Sequence, residues 1–248
     1  MMPFLPSKSD TTSRRVAGAL LAVAILASAT TAFALQSRGG RGVANRVTLG
    51  AGGSHIMGNV AAPVKLAEYV SYTCSHCADF ARDAGPVLRG HVARGAMSVE
   101  VRHIVRDPVD MAAAVLANCG PTAGFFARHE ALMAEQPRIL ARVGALNQAQ
   151  IQRWGDGTPA QRLRTVALDS GIAAFMRTQR LSQEQIDRCL ADTTIQNRLL
   201  DMTNAGSQLG VTGTPSFTIN GRLIENTHNW ATLQPVLAVL LRPAPTRR

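Results

Sequence analysis

Residues 57–77 read MGNVAAPVKLAEYVSYTCSHC, and this segment contains the most informative structural signals of the chain. Residues 65–72 are short, apolar and rich in β-forming side chains, which predicts a buried strand. The pair Cys74 and Cys77 follows at once, and apolar residues then recur at helical spacing. A helix is therefore expected to begin at or just after Cys74, so that the two cysteines lie between a strand end and a helix start.

That position predicts redox chemistry for the two cysteines. The first turn of a helix offers unpaired backbone N–H groups and the positive end of the helix dipole, and both stabilise an anion. We therefore predict that Cys74 has a lowered pKa and is the nucleophile. Cys77, nearly one turn further on, suits the resolving role, in which its sulfur attacks a mixed disulfide on Cys74. His76 lies between them and, when charged, would stabilise the Cys74 thiolate further.

Two other interpretations of the Cys-x-x-Cys pair are weaker. A structural zinc site needs two further ligands at recognisable spacing, whereas Cys119 and Cys189 are solitary and the sequence has no second such pair. A purely structural bridge between Cys74 and Cys77 would close so short a loop that it would stabilise the chain little. We therefore expect a redox-active pair, with no metal and no cofactor.

The rest of the body predicts a mixed α/β arrangement. Residues 98–105 alternate between polar and apolar side chains and predict a second strand, and residues 108–208 predict a long helical stretch. Residues 216–225 predict a hairpin, because the Asn-Gly pair at its centre is the preferred type I′ turn, and a last helix is expected over 229–241. This order predicts one mixed sheet covered by helices, with the helical block inserted midway.

With these elements in order, the chain resembles the DsbA-like disulfide oxidoreductases, which have the thioredoxin fold. The resemblance covers about residues 57–241 and rests on two motifs, the segment 57–77 and LGVTGTPSFTING at 209–221. It implies an α/β fold with a thioredoxin-like mixed sheet, helices on both faces, and an inserted all-helical subdomain at about 108–208.

The resemblance also implies three further site residues. It implies a cis peptide between Thr214 and Pro215 that faces the cysteines, with the Thr214 backbone pairing with the substrate chain. It matches Glu68, six residues before Cys74, to the family's buried acid, which would accept or relay the proton of Cys77. A solvent-facing strand glutamate is the alternative for Glu68.

The activity implied by the resemblance is thiol–disulfide exchange, most simply the oxidation of reduced or unfolded exported polypeptides, with a membrane redox partner of the DsbB type. Two departures from the best-known oxidase leave the direction of electron flow open. Ser75 replaces a proline between the cysteines, and Thr214 replaces a valine, as in isomerase and reductase relatives. A disulfide reductase or isomerase is thus the first alternative. A non-catalytic peptide-binding or chaperone module is the second.

The amino terminus has the pattern of an export signal. Lys8, Arg14 and Arg15 precede the apolar residues 16–29, and small residues occupy the expected cleavage site at 32–34. We predict a signal peptide over residues 1–34 and a periplasmic location, with an uncleaved membrane anchor as the alternative. The glycine-rich residues 35–58 then predict a flexible linker before the domain at 59–248.

In an exported protein a pair of free thiols is a liability, so we predict a disulfide between Cys119 and Cys189. Some members of the family look similar at these positions. Two buried free cysteines are the alternative.

The formal net charge is +10, but the basic residues are dispersed and only 4% of residues are aromatic, so we expect no nucleic-acid partner. Nothing in the sequence requires more than a monomer.

Overall fold

The structure is a computed structural model, and it describes residues 46–242. The predicted signal peptide over residues 1–34, with its alternative of a membrane anchor, lies outside the described residues, as does the first part of the predicted linker. Between residues 46 and 242, no helix has both the length and the apolar character needed to cross a bilayer.

A six-stranded mixed sheet lies at the centre of the domain. Its strands are β1 (Val47–Leu49), β2 (His55–Gly58), β3 (Val64–Val70), β4 (Met97–His103), β5 (Ser216–Ile219) and β6 (Arg222–Leu223). They lie in the order β1-β2-β4-β3-β5-β6. Strands β3 and β4 are parallel, and every other neighbouring pair is antiparallel. Because β3 is an interior strand, all its residues except Lys65 are buried.

Nine helices accompany the sheet within the described residues. They are α1 (Ser75–Ala93), α2 (Pro108–Ala117), α3 (Phe125–Gly144), α4 (Gln148–Gln152), α5 (Pro159–Asp169), α6 (Ile172–Thr178), α7 (Gln183–Ala191), α8 (Thr193–Gln208) and α9 (Trp230–Leu240). Helix α1 connects the parallel strands β3 and β4, as such a pair requires. Helices α2 to α8 fill the interval between β4 and β5, where the sequence predicts the helical insertion.

The two faces of the sheet are covered by different helices. Side chains alternate along a strand, so Tyr69 and Glu68 of β3 point to opposite faces. Gly206 of α8 approaches so closely that a Cβ there would lie 3.3 Å from the Tyr69 ring, which places α8 on that face. On the other face Glu68 lines a cavity with Phe80 and Leu88 of α1. The predicted fold class, a mixed sheet with helices on both faces and an inserted helical subdomain, is confirmed.

Helix α2 is the apolar centre of the insertion. In its sequence, PVDMAAAVLA, every residue except Pro108 and Met111 is buried. The helix begins where Asp107 accepts a hydrogen bond from the backbone N–H of Asp110, with proline in the first turn, so the sequence itself fixes the start. A helix that is buried on nearly all sides can carry rigid contacts from the insertion to the strand ends.

The prediction of a flexible linker is wrong for residues 46–58. Strands β1 and β2 form an antiparallel pair there, and β2 pairs in turn with β4. The glycines that indicated flexibility instead make the turn between the strands, where Gly52 and Gly53 have φ angles of 71° and 82°. Met57, buried on the sheet, belongs to the core. The domain therefore includes the 46–58 segment rather than beginning at residue 59.

A disulfide joins two parts of the insertion. Cys119, just after α2, and Cys189, in α7, are bonded with sulfurs 2.04 Å apart and Cα atoms 5.8 Å apart. The pair is separated by 70 residues of sequence, so the closed loop includes α3 to α6 and most of α7. Free cysteines, the alternative, do not occur at these two positions.

Removing this bridge is expected to destabilise the domain. In the Cys119→Ala/Cys189→Ala variant the unfolding free energy should fall by about 3–4 kcal/mol, because the unfolded chain regains the entropy of an open loop. Urea unfolding measures the loss. The matched control is Cys74→Ser/Cys77→Ser, which keeps the bridge and should lose a similar amount when a reductant is added. A loss below about 1 kcal/mol would contradict a constraining role for the bridge.

Candidate active site

The structure places Cys74 and Cys77 at the start of α1, as the sequence predicts. Cys74 is the residue before the first helical turn, with extended backbone angles (φ −99°, ψ 112°), and its carbonyl oxygen accepts the backbone N–H of Cys77 at 3.0 Å. Both cysteines are free thiols. Cys74 is 6% exposed and Cys77 is completely buried, so a polypeptide sulfur can reach only Cys74.

The surroundings of Cys74 favour its thiolate. The Cys77 thiol donates a hydrogen bond to it, and the Thr214 side chain and the Cys77 backbone N–H donate as well. Together with the charge of Arg106, these donors outweigh burial and lower the pKa of Cys74 to about 5. In the thiol form its S–H group instead donates to the Thr214 carbonyl oxygen at 3.0 Å, a contact that favours the thiol. The net effect of these contacts and charges is a lowered pKa of Cys74.

Cys77 has the opposite character. Its burial raises the pKa of the thiol well above the ordinary value, and the hydrogen bond and negative charge of Cys74, then the charge of Glu68, act in the same direction. Only the backbone N–H of Ser71 acts against them. At neutral pH Cys77 therefore keeps its proton while Cys74 is ionised.

The loop 213–215 faces the cysteines, although it lies 140 residues away in sequence. The peptide between Thr214 and Pro215 is cis, and the loop leads directly into β5, which pairs with β3. Hydrogen bonds hold it on both sides. Ser216 Oγ donates to the Gly213 carbonyl at 2.7 Å, and the His228 ring lies 2.9 Å from the Pro215 carbonyl. The pairing of β5 with β3 thus brings Thr214 to Cys74.

Glu68 lies in the middle of β3, level with Val101 on one neighbouring strand and Phe217 on the other. It is only 4% exposed, so the alternative of a solvent-facing glutamate is wrong. Burial raises the pKa of its carboxyl group to about 8, and Oε1 has no hydrogen-bond partner among residues 46–242. Beside it is a cavity of about 30 Å³, large enough for one water molecule, that also reaches His129 and Glu130.

His76 is exposed and lines a groove together with Cys74. Its predicted effect on the Cys74 thiolate stays a prediction. Arg106, which the sequence analysis did not single out, contributes a positive charge that lowers the pKa of Cys74. It follows β4 and precedes α2, so no local motif connects it with the cysteines.

Two buried polar residues of the insertion hold the turn that carries Cys74, and the sequence analysis missed both. Asp110 of α2 accepts hydrogen bonds from Ser71 Oγ at 2.6 Å and from the Tyr72 backbone N–H at 2.7 Å. Gln136 of α3 donates to the carbonyls of Tyr72 and Cys74 at 2.9 Å and 3.0 Å. The sequence signal that could have identified them is a polar residue on the face of a helix that is otherwise expected to be buried. The insertion therefore positions the redox turn.

A groove of about 480 Å³ opens beside Cys74. Its lining includes His76, Arg106 and the loop 212–214. The groove gives a polypeptide access to the Cys74 sulfur, alongside the backbone of Thr214.

The family model described as Thioredoxin matches residues 50–238 of the chain. The crystal structure of a protein-disulfide isomerase from Novosphingobium aromaticivorans is similar, with 40% identity, a TM-score of 0.72, and coverage of 77% of this chain and 98% of that one. Wolbachia pipientis alpha-DsbA1 shares the fold at 22% identity, with a TM-score of 0.58 and coverage of 78% and 93%. BdbD from Bacillus subtilis does so at 17% identity, with a TM-score of 0.55 and coverage of 76% and 92%.

No curated protein is matched by the sequence. The family model nevertheless spans most of the chain, and the relative from Novosphingobium aromaticivorans is covered almost entirely. The matched region contains the cysteine pair, the buried glutamate and the cis-proline loop. The chain therefore belongs to the thioredoxin family and is a thiol–disulfide oxidoreductase with the DsbA-like fold.

Proposed function

We propose that the protein oxidises reduced, newly exported polypeptides, with the Cys74–Cys77 disulfide as the electron acceptor. The observation that carries this proposal is the asymmetry of the two thiols. The pKa of Cys74 is lowered to about 5, and that of Cys77 is raised. A stable thiolate is a good leaving group, and it stabilises the reduced form of the pair, so the disulfide form becomes a stronger oxidant.

The size of this effect follows from the pKa of Cys74. At pH 7 a thiol with a pKa of about 5 is ionised, which stabilises the dithiol form by about 2.7 kcal/mol relative to a pair of unionised thiols. For a two-electron couple this raises the reduction potential by about 60 mV. Solvent at the open side of the groove reduces the figure. The raised pKa of Cys77 has no effect at this pH, because that thiol is protonated in any case.

The reaction proceeds in two exchanges. A substrate thiolate attacks the Cys74 sulfur of the disulfide, a substrate–Cys74 bond forms, and Cys77 leaves and takes up a proton. A second substrate thiolate then attacks the substrate sulfur, and Cys74 leaves as the thiolate. The substrate loses two electrons and becomes a disulfide, while Cys74–Cys77 gains them and becomes a dithiol. Glu68 would exchange the proton of Cys77 in the buried space beside it.

Export and regeneration are part of the proposal. The charged start, apolar middle and small residues at the expected cleavage site support export to the periplasm, an oxidising compartment. The dithiol form must return its two electrons to an oxidant, and a membrane partner of the DsbB type is the acceptor that the family resemblance favours. The bond between Cys119 and Cys189 agrees with such a compartment.

An isomerase or reductase is the second candidate. The relative that is 40% identical is named a protein-disulfide isomerase, and threonine stands before the cis-proline here. The thiolate of Cys74 could begin isomerisation by attacking a wrong disulfide. The same thiolate leaves readily, however, and this favours donation of the disulfide over its reduction.

The reduction potential of the pair distinguishes these candidates. We expect a value above about −200 mV, nearer the −120 mV of a strong dithiol oxidant than the −270 mV of thioredoxin. Equilibration of the purified chain with glutathione buffers, followed by alkylation of free thiols, measures it. The Cys119→Ala/Cys189→Ala variant is the control that assigns the titration to Cys74 and Cys77. A value near −270 mV would favour a reductase, and the absence of any titration would contradict redox activity.

A further inference from the structure

The groove beside Cys74 has a mixed polar and apolar lining, which includes Ile104 and Val211, and it carries a positive charge. Of the residues that form it, Arg106 is a cation and His76 can become one, and the others are uncharged apart from the reactive sulfur. Within the described part of the chain, no carboxylate lines this groove. A chain bound there places the residues next to its own cysteine near Arg106, because the cysteine must reach Cys74.

The backbone of Arg106 is anchored, whereas its guanidinium forms no salt bridge within residues 46–242. Its backbone N–H donates to the Asp110 carboxylate at 3.1 Å, which fixes the start of the segment. Its side chain is exposed and makes no ion pair with any carboxylate of residues 46–242. The positive charge of Arg106 acts electrostatically on the reacting sulfur, since it contributes to the lowered pKa of Cys74.

The acidic groups nearby make no ion pair with Arg106 within residues 46–242. The carboxylate of Asp107, the next residue, accepts hydrogen bonds from Thr73 Oγ1 at 2.6 Å and from the Asp110 backbone N–H at 2.9 Å. Glu225 lines a separate cavity of about 420 Å³ that shares Thr212 with the groove. The cation and this carboxylate thus line different cavities, which have Thr212 in common.

We propose that Arg106 is a specificity-determining residue, and that it makes the groove selective for polypeptide cysteines flanked by acidic residues. The inference rests on the proposed function, since it concerns which polypeptide thiols react with Cys74. An acidic side chain beside the substrate cysteine pairs with the free guanidinium during the first exchange. A basic side chain is repelled there, so charge at the flanking position changes the rate of mixed-disulfide formation.

Two peptides test this inference. Each contains the same pair of cysteines, flanked by glutamates in one peptide and by lysines in the other, and each is oxidised by the disulfide form of the full domain. Flanking charges also change the pKa and reactivity of the peptide thiols themselves. The quantity compared is therefore the ratio of the second-order rate constant for the glutamate peptide to that for the lysine peptide, measured for each protein variant. A general effect of a substitution on Cys74 cancels in this ratio.

We expect Arg106→Gln to lower the Glu-to-Lys ratio about fivefold at low ionic strength, as is typical for an exposed charge pair, and salt to lower it in the wild type. Arg106→Lys should retain most of the preference. Arg222→Gln, at an exposed arginine of β6 that lines neither cavity, is the matched control and should leave the ratio unchanged.

An equal ratio in the wild type and Arg106→Gln, with both peptides oxidised, would overturn this inference and leave the proposed function intact. A fall of the same size in Arg222→Gln would also overturn it, because the effect would then come from overall charge. Failure of the wild type to oxidise either peptide would overturn the proposed function itself, and the inference with it.

Discussion

Replacing Cys74 by serine is expected to reduce dithiol oxidation by at least about a thousandfold, because a hydroxyl cannot form the mixed disulfide through which both exchanges pass. Cys77→Ser should behave differently. It cannot form the Cys74–Cys77 disulfide and should not oxidise a dithiol either, but its Cys74 thiolate can still attack the disulfide of an oxidised polypeptide and release one polypeptide sulfur as a thiolate. Because no Cys77 thiol is present to displace the polypeptide that stays on Cys74, this mixed disulfide accumulates. Turnover of a reduced model polypeptide measures the loss of oxidation, and non-reducing electrophoresis after incubation with the same polypeptide in its disulfide form distinguishes the two variants.

The same variants test the origin of the Cys74 thiolate. In the wild type, alkylation of Cys74 should become half-maximal near pH 5, since only the thiolate reacts. Cys77→Ala removes the largest contribution to this lowered pKa, the hydrogen bond from the Cys77 thiol, and should move the midpoint upward. Cys77→Ser keeps a donor at the position and should move it less.

Two results would contradict this account. Normal turnover by Cys74→Ser would mean that the cysteines are incidental and would support the alternative of a peptide-binding or chaperone module. An unchanged alkylation midpoint in Cys77→Ala would mean that the thiolate is stabilised by Thr214 and Arg106 rather than by Cys77. The Cys119→Ala/Cys189→Ala variant, which keeps the active-site pair, is the activity control for both experiments.

Local patterns were sufficient to predict the central part of the fold. An apolar run before the cysteines predicted β3, helical spacing after them predicted α1, and the helices of 108–208 were expected from their periodicity. The same patterns misled at 46–58, because a glycine-rich sequence is compatible both with a linker and with the tight turn that joins β1 to β2. Only the pairing of β2 with β4, a non-local contact, decides between them.

The site residues that belong to one short sequence motif could be predicted. The residues that reach the site only when distant segments pack together could not. The spacing of Cys74 and Cys77 indicated the reaction. Arg106, Asp110 and Gln136 gave no such indication, because each reaches the redox turn only after the insertion has folded against the sheet. Their roles follow from contacts between residues that lie tens of positions apart.

The stability of the domain is expected to depend on the ionisation of Glu68. The carboxyl group has a pKa of about 8 in the folded protein, against 4.5 as its ordinary value. Between these values the unfolded chain releases the proton while the folded protein keeps it, so stability falls as pH rises through this window and is fully present below it. A shift of this size corresponds to about 4–5 kcal/mol between about pH 4 and pH 9.

The Glu68→Gln variant removes this dependence, because an amide of the same shape carries no proton to lose. Its unfolding free energy should therefore rise relative to the parent by about 4–5 kcal/mol between about pH 4 and pH 9. The measurement is urea unfolding in a Cys74→Ser/Cys77→Ser background, where the active-site thiols do not titrate. Glu184→Gln, at an exposed carboxylate of α7, is the control and should show no such change.

A pH-independent difference between Glu68→Gln and its parent would mean that the carboxylate is ionised in the folded protein at neutral pH. Water in the adjacent cavity is the means by which the fold could hydrate it, and Oε1, which has no protein partner within residues 46–242, is the atom that would bind it. An ionised Glu68 would oppose the ionisation of Cys77. A neutral Glu68 instead has a proton to give when Cys77 leaves the disulfide. A pH-dependent difference between Glu68→Gln and its parent would therefore mean that the buried acid can donate the proton that Cys77 takes up.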